Sequence, residues 1–200
     1  MHRLIRLSDR IDAAMRVVVW LGAVMLAGMV LAIATEIVTR RFRMEIPGIG
    51  PARLLELEWH FHAALFMLTL GYAYINNVHV RIDMLVTGAT HRARAWIELV
   101  GIVAFLLPFG IALTVWSYGF WLQSWRFNEM SDISGGLPAR WVIKATLPIG
   151  TMLLLVAGFS NALRLVAFLF GDAATRAAAR PAMVGDEVVL IEAPPIRRGQ

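Results

Sequence analysis

Residues 17–35 read VVVWLGAVMLAGMVLAIAT and contain no charged side chain. At a rise of about 1.5 Å per residue, a helix of this length measures roughly 28 Å, close to the hydrocarbon thickness of a bilayer, which is about 30 Å. A membrane-spanning β-strand would instead alternate apolar and polar residues, which this stretch does not do. The segment therefore predicts a transmembrane α-helix.

Three further stretches lack Asp, Glu, Lys and Arg, namely residues 59–80, 99–125 and 145–163. Each is long enough to cross a bilayer once as a helix. We therefore predict an all-α integral membrane protein with four transmembrane helices, over about 17–38, 59–78, 96–122 and 142–170. Residues 1–171 form the predicted four-helix domain. Residues 172–200 are rich in Ala, Arg and Pro, which favours a disordered cytoplasmic tail.

The overall composition agrees with a membrane protein, since 58% of the residues are hydrophobic, 16% are charged and the mean hydropathy is +0.65. Such a chain has too few polar side chains to cover a soluble domain of 200 residues. Cysteine is absent, which excludes disulfides and thiolate metal sites. The net charge is +5, but the arginines are spread over many short segments, so nucleic-acid binding is disfavoured.

The distribution of basic residues predicts the orientation. With four spans, twelve of the 19 Lys and Arg residues fall on the side that holds both termini, and the other seven fall on the opposite side. Because cytoplasmic loops carry the excess of Lys and Arg, we expect both termini in the cytoplasm. Trp59, Trp96 and Trp141 lie at or beside predicted span starts, where indole rings favour the membrane–water interface.

Two short helices are predicted outside the spans. In residues 1–16, apolar and small side chains fall near one helical face and arginines fall elsewhere, which indicates an amphipathic helix lying in the lipid headgroup layer. Residues 52–58 follow the turn PGIGP at 47–51 and carry leucines beside charged residues. This pattern predicts a short interfacial helix in the first outer loop, running into the second span.

Inside the spans, small residues and proline suggest how the helices pack. Gly28 with Ala32 and Gly158 with Ala162 are spaced four apart, a separation that lets helix backbones approach closely, although chance explains such pairs equally well in Ala- and Gly-rich helices. Pro108 near the middle of the third span predicts a kink that sets the shape of the helix.

The ionisable residues near the membrane leave some alternatives open. Four of the five histidines could suggest a haem protein, but the predicted first, third and fourth spans contain no histidine to face them. A boundary acid such as Glu36 could serve a self-sufficient cation or drug exporter, although an ion pair with Arg40 is the simpler role. No motif for an enzyme or a cofactor is present, so we predict neither.

The most distinctive polar string, NNVHVRIDML at 76–85, follows the second span. His79 and Arg81 could meet the free carbonyls of that helix end, and Asp83 could cap the next helix. The string closes a longer pattern that begins with ELEW at 56–59, and two further motifs are IVTRRF at 37–42 and GLPARW at 136–141. In these motifs the chain resembles the small permease subunit, DctQ-like, of a tripartite ATP-independent periplasmic (TRAP) transporter.

The resemblance implies a division of labour. A periplasmic binding protein captures an organic anion, usually a carboxylate, and a large permease subunit imports it with sodium. The small subunit would be a stationary scaffold in the bacterial inner membrane, in contact with the large permease subunit, the periplasmic binding protein and membrane phospholipids. The candidate structural or interaction residues are Glu36, Arg40, Glu58, Trp59, His79, Arg81, Asp83, Arg140, Gly158 and Ala162.

Three of these assignments are specific hypotheses. Arg81 and Asp83 order the inner loop, the outer loop from Ser131 to Arg140 helps to dock the binding protein, and the small-residue face of Gly158 and Ala162 packs on the large subunit.

Overall fold

A computed structural model of the chain describes residues 1–44, 46–78 and 88–179, and within these ranges the protein is all-helical. The elements are α1 (His2–Phe42), α2 (Pro51–Ile75), α3 (His91–Gly101), a π-helical turn (Ile102–Leu106), α4 (Leu107–Arg126), α5 (Trp141–Lys144), α6 (Thr146–Phe170) and α7 (Ala173–Ala178). Because α3, the π-helical turn and α4 follow one another without a break, the predicted third span is a single long helical rod.

Three helical stretches are long and apolar enough to cross a membrane, namely His2–Phe42, His91–Arg126 and Trp141–Phe170. They contain the first, third and fourth predicted spans. The second predicted span falls in α2, which has sufficient length but carries His60 and His62 among its apolar residues. These polar rings lower its mean hydropathy, so a crossing by α2 stays a prediction.

The amphipathic helix predicted at residues 1–16 is not a separate element. It forms the first turns of α1, which runs for 41 residues, about 60 Å, without interruption. Its face with Ile5, Ser8 and Met15 is buried within the protein itself and not in lipid, while contact of its remaining faces with the headgroup layer stays a prediction. The loop helix predicted at 52–58 is likewise the beginning of α2, since nothing between Glu58 and Trp59 breaks the helix.

The packing centres on α6, which lies against α1, α2, α3 and α4. Glycines allow close approach at these contacts. A Cβ atom at Gly150 would meet Met67 of α2 at 2.7 Å, and one at Gly110 would meet Leu155 of α6 at 2.6 Å. The α1–α2 pair uses the same device, since a Cβ at Gly22 would lie 2.6 Å from Thr69.

A π-helical turn precedes Pro108, and the predicted kink itself stays a prediction. In this turn the N–H of Leu107 donates to the carbonyl of Ile102, five residues back. Proline has no N–H to donate, and wide turns of this kind are a recognised way to accommodate a local break in α-helical hydrogen bonding. Ile102 itself is buried with Ala95, Leu165 and Leu169 in a core cluster between the rod and α6.

The chain that follows α6 folds back onto the bundle. Asp172 caps α7 by accepting a hydrogen bond from the Thr175 N–H at 2.9 Å, and Ala179 packs with Ile5 and Ala167. The predicted tail therefore begins with an ordered helix, and the remainder of that prediction, residues 180–200, lies outside the described residues.

Candidate functional site

A group of polar side chains, here called the Arg164 cluster, joins α1 to α6 at the end of the bundle that holds the N-terminus. The Arg164 Nε donates to Ser8 Oγ at 2.6 Å, and its Nη2 contacts Asp9 Oδ1 at 2.8 Å and Asp12 Oδ2 at 2.5 Å. Ser160 Oγ donates to Asp12 Oδ1 at 2.8 Å and lies 2.7 Å from Ser8 Oγ. One guanidinium thus serves two carboxylates and a hydroxyl.

The Arg164 cluster forms because of helical spacing. Ser8 and Asp12 are four residues apart on α1, and Ser160 and Arg164 are four apart on α6, so each pair occupies one face of its helix. Both serines are almost fully buried, while the Arg164 side chain keeps 22% of its accessible surface. Buried polar groups are costly unless they are paired, and here each polar group has a partner on the opposing helix.

A second group, the Glu56 cluster, fixes the loop between α4 and α5 to the start of α2. The Glu56 side chain is only 1% exposed. Its carboxylate accepts hydrogen bonds from the hydroxyl of Ser131 and from the backbone N–H of Leu137. A Cβ atom on Gly136 would lie 2.5 Å from Ser131 Oγ and 2.8 Å from Glu56 Oε2. The loop can reach the carboxylate this closely only because residue 136 is glycine.

The ionisation of Glu56 follows from these contacts. Burial by itself disfavours the charged form, but the hydrogen bonds from Leu137 and Ser131, with the positive charges of His60 and Arg140 nearby, outweigh it. The pKa of the Glu56 carboxyl therefore lies below its ordinary value of 4.5. Glu56 is charged at neutral pH and binds the loop as a carboxylate.

Ion pairs extend the Glu56 cluster along the loop. Arg140 contacts Asp132 at 2.7 Å and Glu129 at 3.9 Å, and Lys144 forms an ion pair with Glu129. The hydrogen bond from Lys144 holds the pKa of Glu129 below its ordinary value. Lys144 Nζ also lies 4.0 Å from the centroid of the Phe120 ring, within the range of a cation–π interaction. These contacts make the loop a structured surface.

Two separate open pockets lie on the surface of the bundle. One, of about 810 Å³, is lined by residues that include Tyr74, Phe105, Phe109 and Leu154. The other, of about 220 Å³, is lined by residues that include Trp59, Phe120, Arg140 and Lys144. The lining of both pockets is mostly apolar, as is suitable for lipid chains or for a transmembrane helix of another subunit.

The predicted candidates fall in several places. Glu36 pairs with Arg40 within α1, as the spacing predicted. Glu58 has one buried carboxylate oxygen that accepts no hydrogen bond within the ranges that the structure describes. Trp59 and Arg140 come together, with the guanidinium carbon 6.0 Å from the indole centroid. His79, Arg81 and Asp83 lie outside the described residues.

Gly158 and Ala162 have neighbours within the chain. A Cβ atom at Gly158 would meet Leu106 of this same chain at 2.5 Å, and Ala162 packs on the core cluster that contains Ile102. The π-helical turn thus covers Gly158 internally, and a contact of this face with the large subunit stays a prediction. Gly28 is covered in the same way, by Phe61 of α2.

Sequence reasoning missed the members of both polar clusters, namely Ser8, Asp9, Asp12, Glu56, Ser131, Ser160 and Arg164, as interaction residues. A weak signal was present, since Asp12 and Arg164 are charged residues next to apolar spans. Ions in such positions usually have a partner, but the partner is more than 140 residues away in sequence.

Three long apolar helical stretches, two of which pack on the third through α6, are typical of a helical multi-pass membrane protein. The family model for the DctQ component of tripartite ATP-independent periplasmic transporters matches residues 29–168. The chain belongs to this family and is the small permease component of a TRAP transporter. No curated protein and no solved structure matches the chain.

Membership in this family has direct consequences. The chain is a multi-pass protein of the inner membrane, and it works in transport together with a large permease and a periplasmic binding protein. The family consists of transporter components and is not an enzyme family.

Proposed function

We propose that this subunit acts as a static scaffold for the large permease subunit of a sodium-coupled TRAP importer. The imported solute is an organic anion, a carboxylate, delivered by the periplasmic binding protein. In this proposal α2 also crosses the membrane, which gives four spans in total. Both termini lie in the cytoplasm, and phospholipids cover the apolar surface that the large subunit leaves free.

The observation that carries this proposal is how the chain uses its charged groups near the membrane. Arg164 is engaged by Asp9 and Asp12, and Glu36 is engaged by Arg40. The Arg164 pairs brace α6 against α1, the Glu36–Arg40 pair lies within α1, and both leave these charges satisfied without a solute. They favour a bracing role over a self-sufficient exporter that would depend on a boundary acid such as Glu36.

The exposed apolar side chains support a partner in the membrane. Trp20 on α1 and Trp116 on α4 keep 73% and 74% of their accessible surface. These two faces lie on different sides of α6, so one can meet the large subunit while the other meets lipid. Buried tryptophans often contribute more than 2 kcal/mol to a protein interface.

The test compares Trp20→Ala with Trp116→Ala, a pair matched in residue type and exposure. We expect one variant to reduce co-purification of the large subunit at least tenfold, while the other leaves it unchanged. Neither variant should alter the thermal midpoint of the chain in detergent. Normal complex yield with both variants and with the double variant would contradict docking through these faces.

A transport experiment tests the scaffold role itself. Proteoliposomes that contain the large subunit, the binding protein and this chain should accumulate a carboxylate when a sodium gradient is applied. Vesicles with this chain alone should show no flux, and Glu36→Gln in the full system should retain uptake. Coupled flux by the lone chain that is lost in Glu36→Gln would support the exporter instead.

The outer loop is the proposed contact for the binding protein. The Glu56 cluster holds this loop in a defined shape, and Asp132 at its tip is 90% exposed. Changing Asp132 to Arg in the full system should raise the concentration of binding protein needed for half-maximal uptake. An unchanged requirement would argue against this contact.

A further inference from the structure

Three arginines lie on the outer side of α1 near the N-terminus and are here called the arginine row. Arg3, Arg6 and Arg10 follow helical spacing and, together with Leu7, line a shallow groove of about 220 Å³. All three are exposed, and no carboxylate in the described part of the chain forms an ion pair with them.

The acids in the same turns of α1 do not neutralise the arginine row. Asp9 and Asp12 contact Arg164 of α6 instead. The Arg164 cluster therefore separates charge across α1, with the carboxylates held toward α6 and the three guanidinium groups left on the other side. The result is a concentrated positive surface on a chain whose net charge is only +5.

Packing places the arginine row level with an exposed tryptophan. Ile5, between Arg3 and Arg6, packs on Ala167 and Phe168 near the end of α6. Two residues further, the ring of Phe170 lies 5.7 Å from that of Trp96, an exposed tryptophan of the kind that marks the boundary between lipid and water. A basic residue of α3 lies at the same level, since Arg92 Nη2 donates to the Leu169 carbonyl.

We propose that the arginine row binds the phosphate groups of anionic phospholipids in the inner leaflet. Guanidinium groups bind phosphate through paired hydrogen bonds, and the exposed side chain of Leu7 offers an apolar contact between them for the upper acyl chain. The proposal rests on the cytoplasmic placement of the N-terminus in the proposed function. A lipid is favoured over an acidic protein segment because the surface mixes arginine with leucine at the depth of Trp96.

The test uses the purified full chain in a neutral detergent and counts bound lipids by native mass spectrometry. The probes are phosphatidylglycerol, phosphatidylcholine and inorganic phosphate. The variant is Arg3→Gln/Arg6→Gln/Arg10→Gln. The matched control is Arg41→Gln/Arg43→Gln/Arg126→Gln, which removes three exposed arginines from other parts of the chain.

We expect the wild type to bind phosphatidylglycerol more tightly than phosphatidylcholine, with affinity that falls as salt is raised. A basic residue near an anionic surface contributes about fivefold, so the triple variant should lose on the order of a hundredfold in affinity. The control variant should stay within about threefold of the wild type.

The proposal would be overturned if the triple variant and the control variant lost equal affinity for phosphatidylglycerol. It would also be overturned if the wild type bound phosphatidylglycerol and phosphatidylcholine equally well. Displacement of the lipid by millimolar inorganic phosphate would identify a small-anion site and would also overturn it. If the triple variant does not fold, the salt dependence and the lipid preference of the wild type still show whether the proposal holds. This test measures no transport, so a negative result here is distinct from failure of the scaffold role. The orientation of the N-terminus is tested separately by labelling a cysteine introduced at residue 2.

Discussion

The Arg164 cluster and the Glu56 cluster fasten the two ends of the same bundle in different ways. At the Arg164 cluster, side chains of two long helices meet, and one cation serves the oxygens of Ser8, Asp9 and Asp12. At the Glu56 cluster, one carboxylate holds the backbone and a hydroxyl of a loop. The first therefore sets the position of one helix against another, and the second sets the shape of a surface between helices.

The largest expected effect is at the Arg164 cluster. Arg164→Ala removes the cation and leaves the carboxylate of Asp12, which is largely buried, without its partner. Because loss of one member of a buried pair typically costs about 3–5 kcal/mol, and Arg164 is 22% exposed, we expect destabilisation near the lower limit, about 3 kcal/mol. Unfolding in mixed detergent–SDS micelles measures it. Arg16→Ala, on an exposed part of α1, is the control, and equal stability of the two variants would show that the cluster does not brace the helices.

The next largest effect is at Glu56. Glu56→Ala leaves the N–H of Leu137 and the hydroxyl of Ser131 without their acceptor, which we expect to cost about 2 kcal/mol. The loop should then be cleaved by chymotrypsin near Phe127 at least fivefold faster than in the wild type. Ser134→Ala, which changes an exposed residue of the same loop, should leave the cleavage rate almost unchanged. Protection that survives in Glu56→Ala would mean that other contacts hold the loop.

A smaller effect is expected from Gly136→Ala. The added methyl group would lie within 3 Å of both Ser131 and Glu56, so the loop must shift and weaken their hydrogen bond. We expect a loss of about 1 kcal/mol, seen as faster loop cleavage, while the Arg164 cluster stays intact. Gly119→Ala is the control, because its Cβ would meet no atom within 4 Å. Indistinguishable cleavage rates for these two variants would count against a tight fit at residue 136.

The smallest effect is a dependence on pH at the Glu56 cluster. The pKa of Glu56 is lowered in the folded protein, so its contribution is complete above the unfolded value, about 4.5, and is lost as pH falls through the lower folded value. The loop should therefore become easier to cleave as pH falls below about 4.5 in the wild type, as measured with an acid-active protease such as pepsin. Glu56→Gln should show a weaker dependence over the same range, with Glu129 responsible for what remains. Identical pH profiles for the two proteins would exclude Glu56 as the responsible group.

The sequence predicted the features that depend on near neighbours in the chain. Gaps between charged residues located the apolar runs, and the spacing of Glu36 and Arg40 predicted their ion pair. The proline was noted as a point of irregular geometry, but the π-helical turn that precedes it was not predicted. Each of these features is set by residues within one or two helical turns.

The features that the sequence did not predict depend on distant pairings. The apolar face of residues 1–16 could have met lipid or protein, and the positions of α2 and α6 decide that Ile5, Ser8 and Met15 are buried in the bundle. The same holds for Gly158, because its spacing to Ala162 predicts a close contact without saying which helix provides it. Leu106 of the same chain provides it here.

The π-helical turn at Ile102–Leu106 has a consequence for chain length. Such a turn contains about one residue more than an α-helical turn that spans the same part of the rod. A deletion of one residue between Gly101 and Pro108 can therefore be absorbed by tightening the turn, and α4 keeps its rotation about its own axis. A deletion elsewhere in the rod would turn every later side chain by about 100°. The rod can therefore change length by one residue at this turn without moving the rest of the bundle.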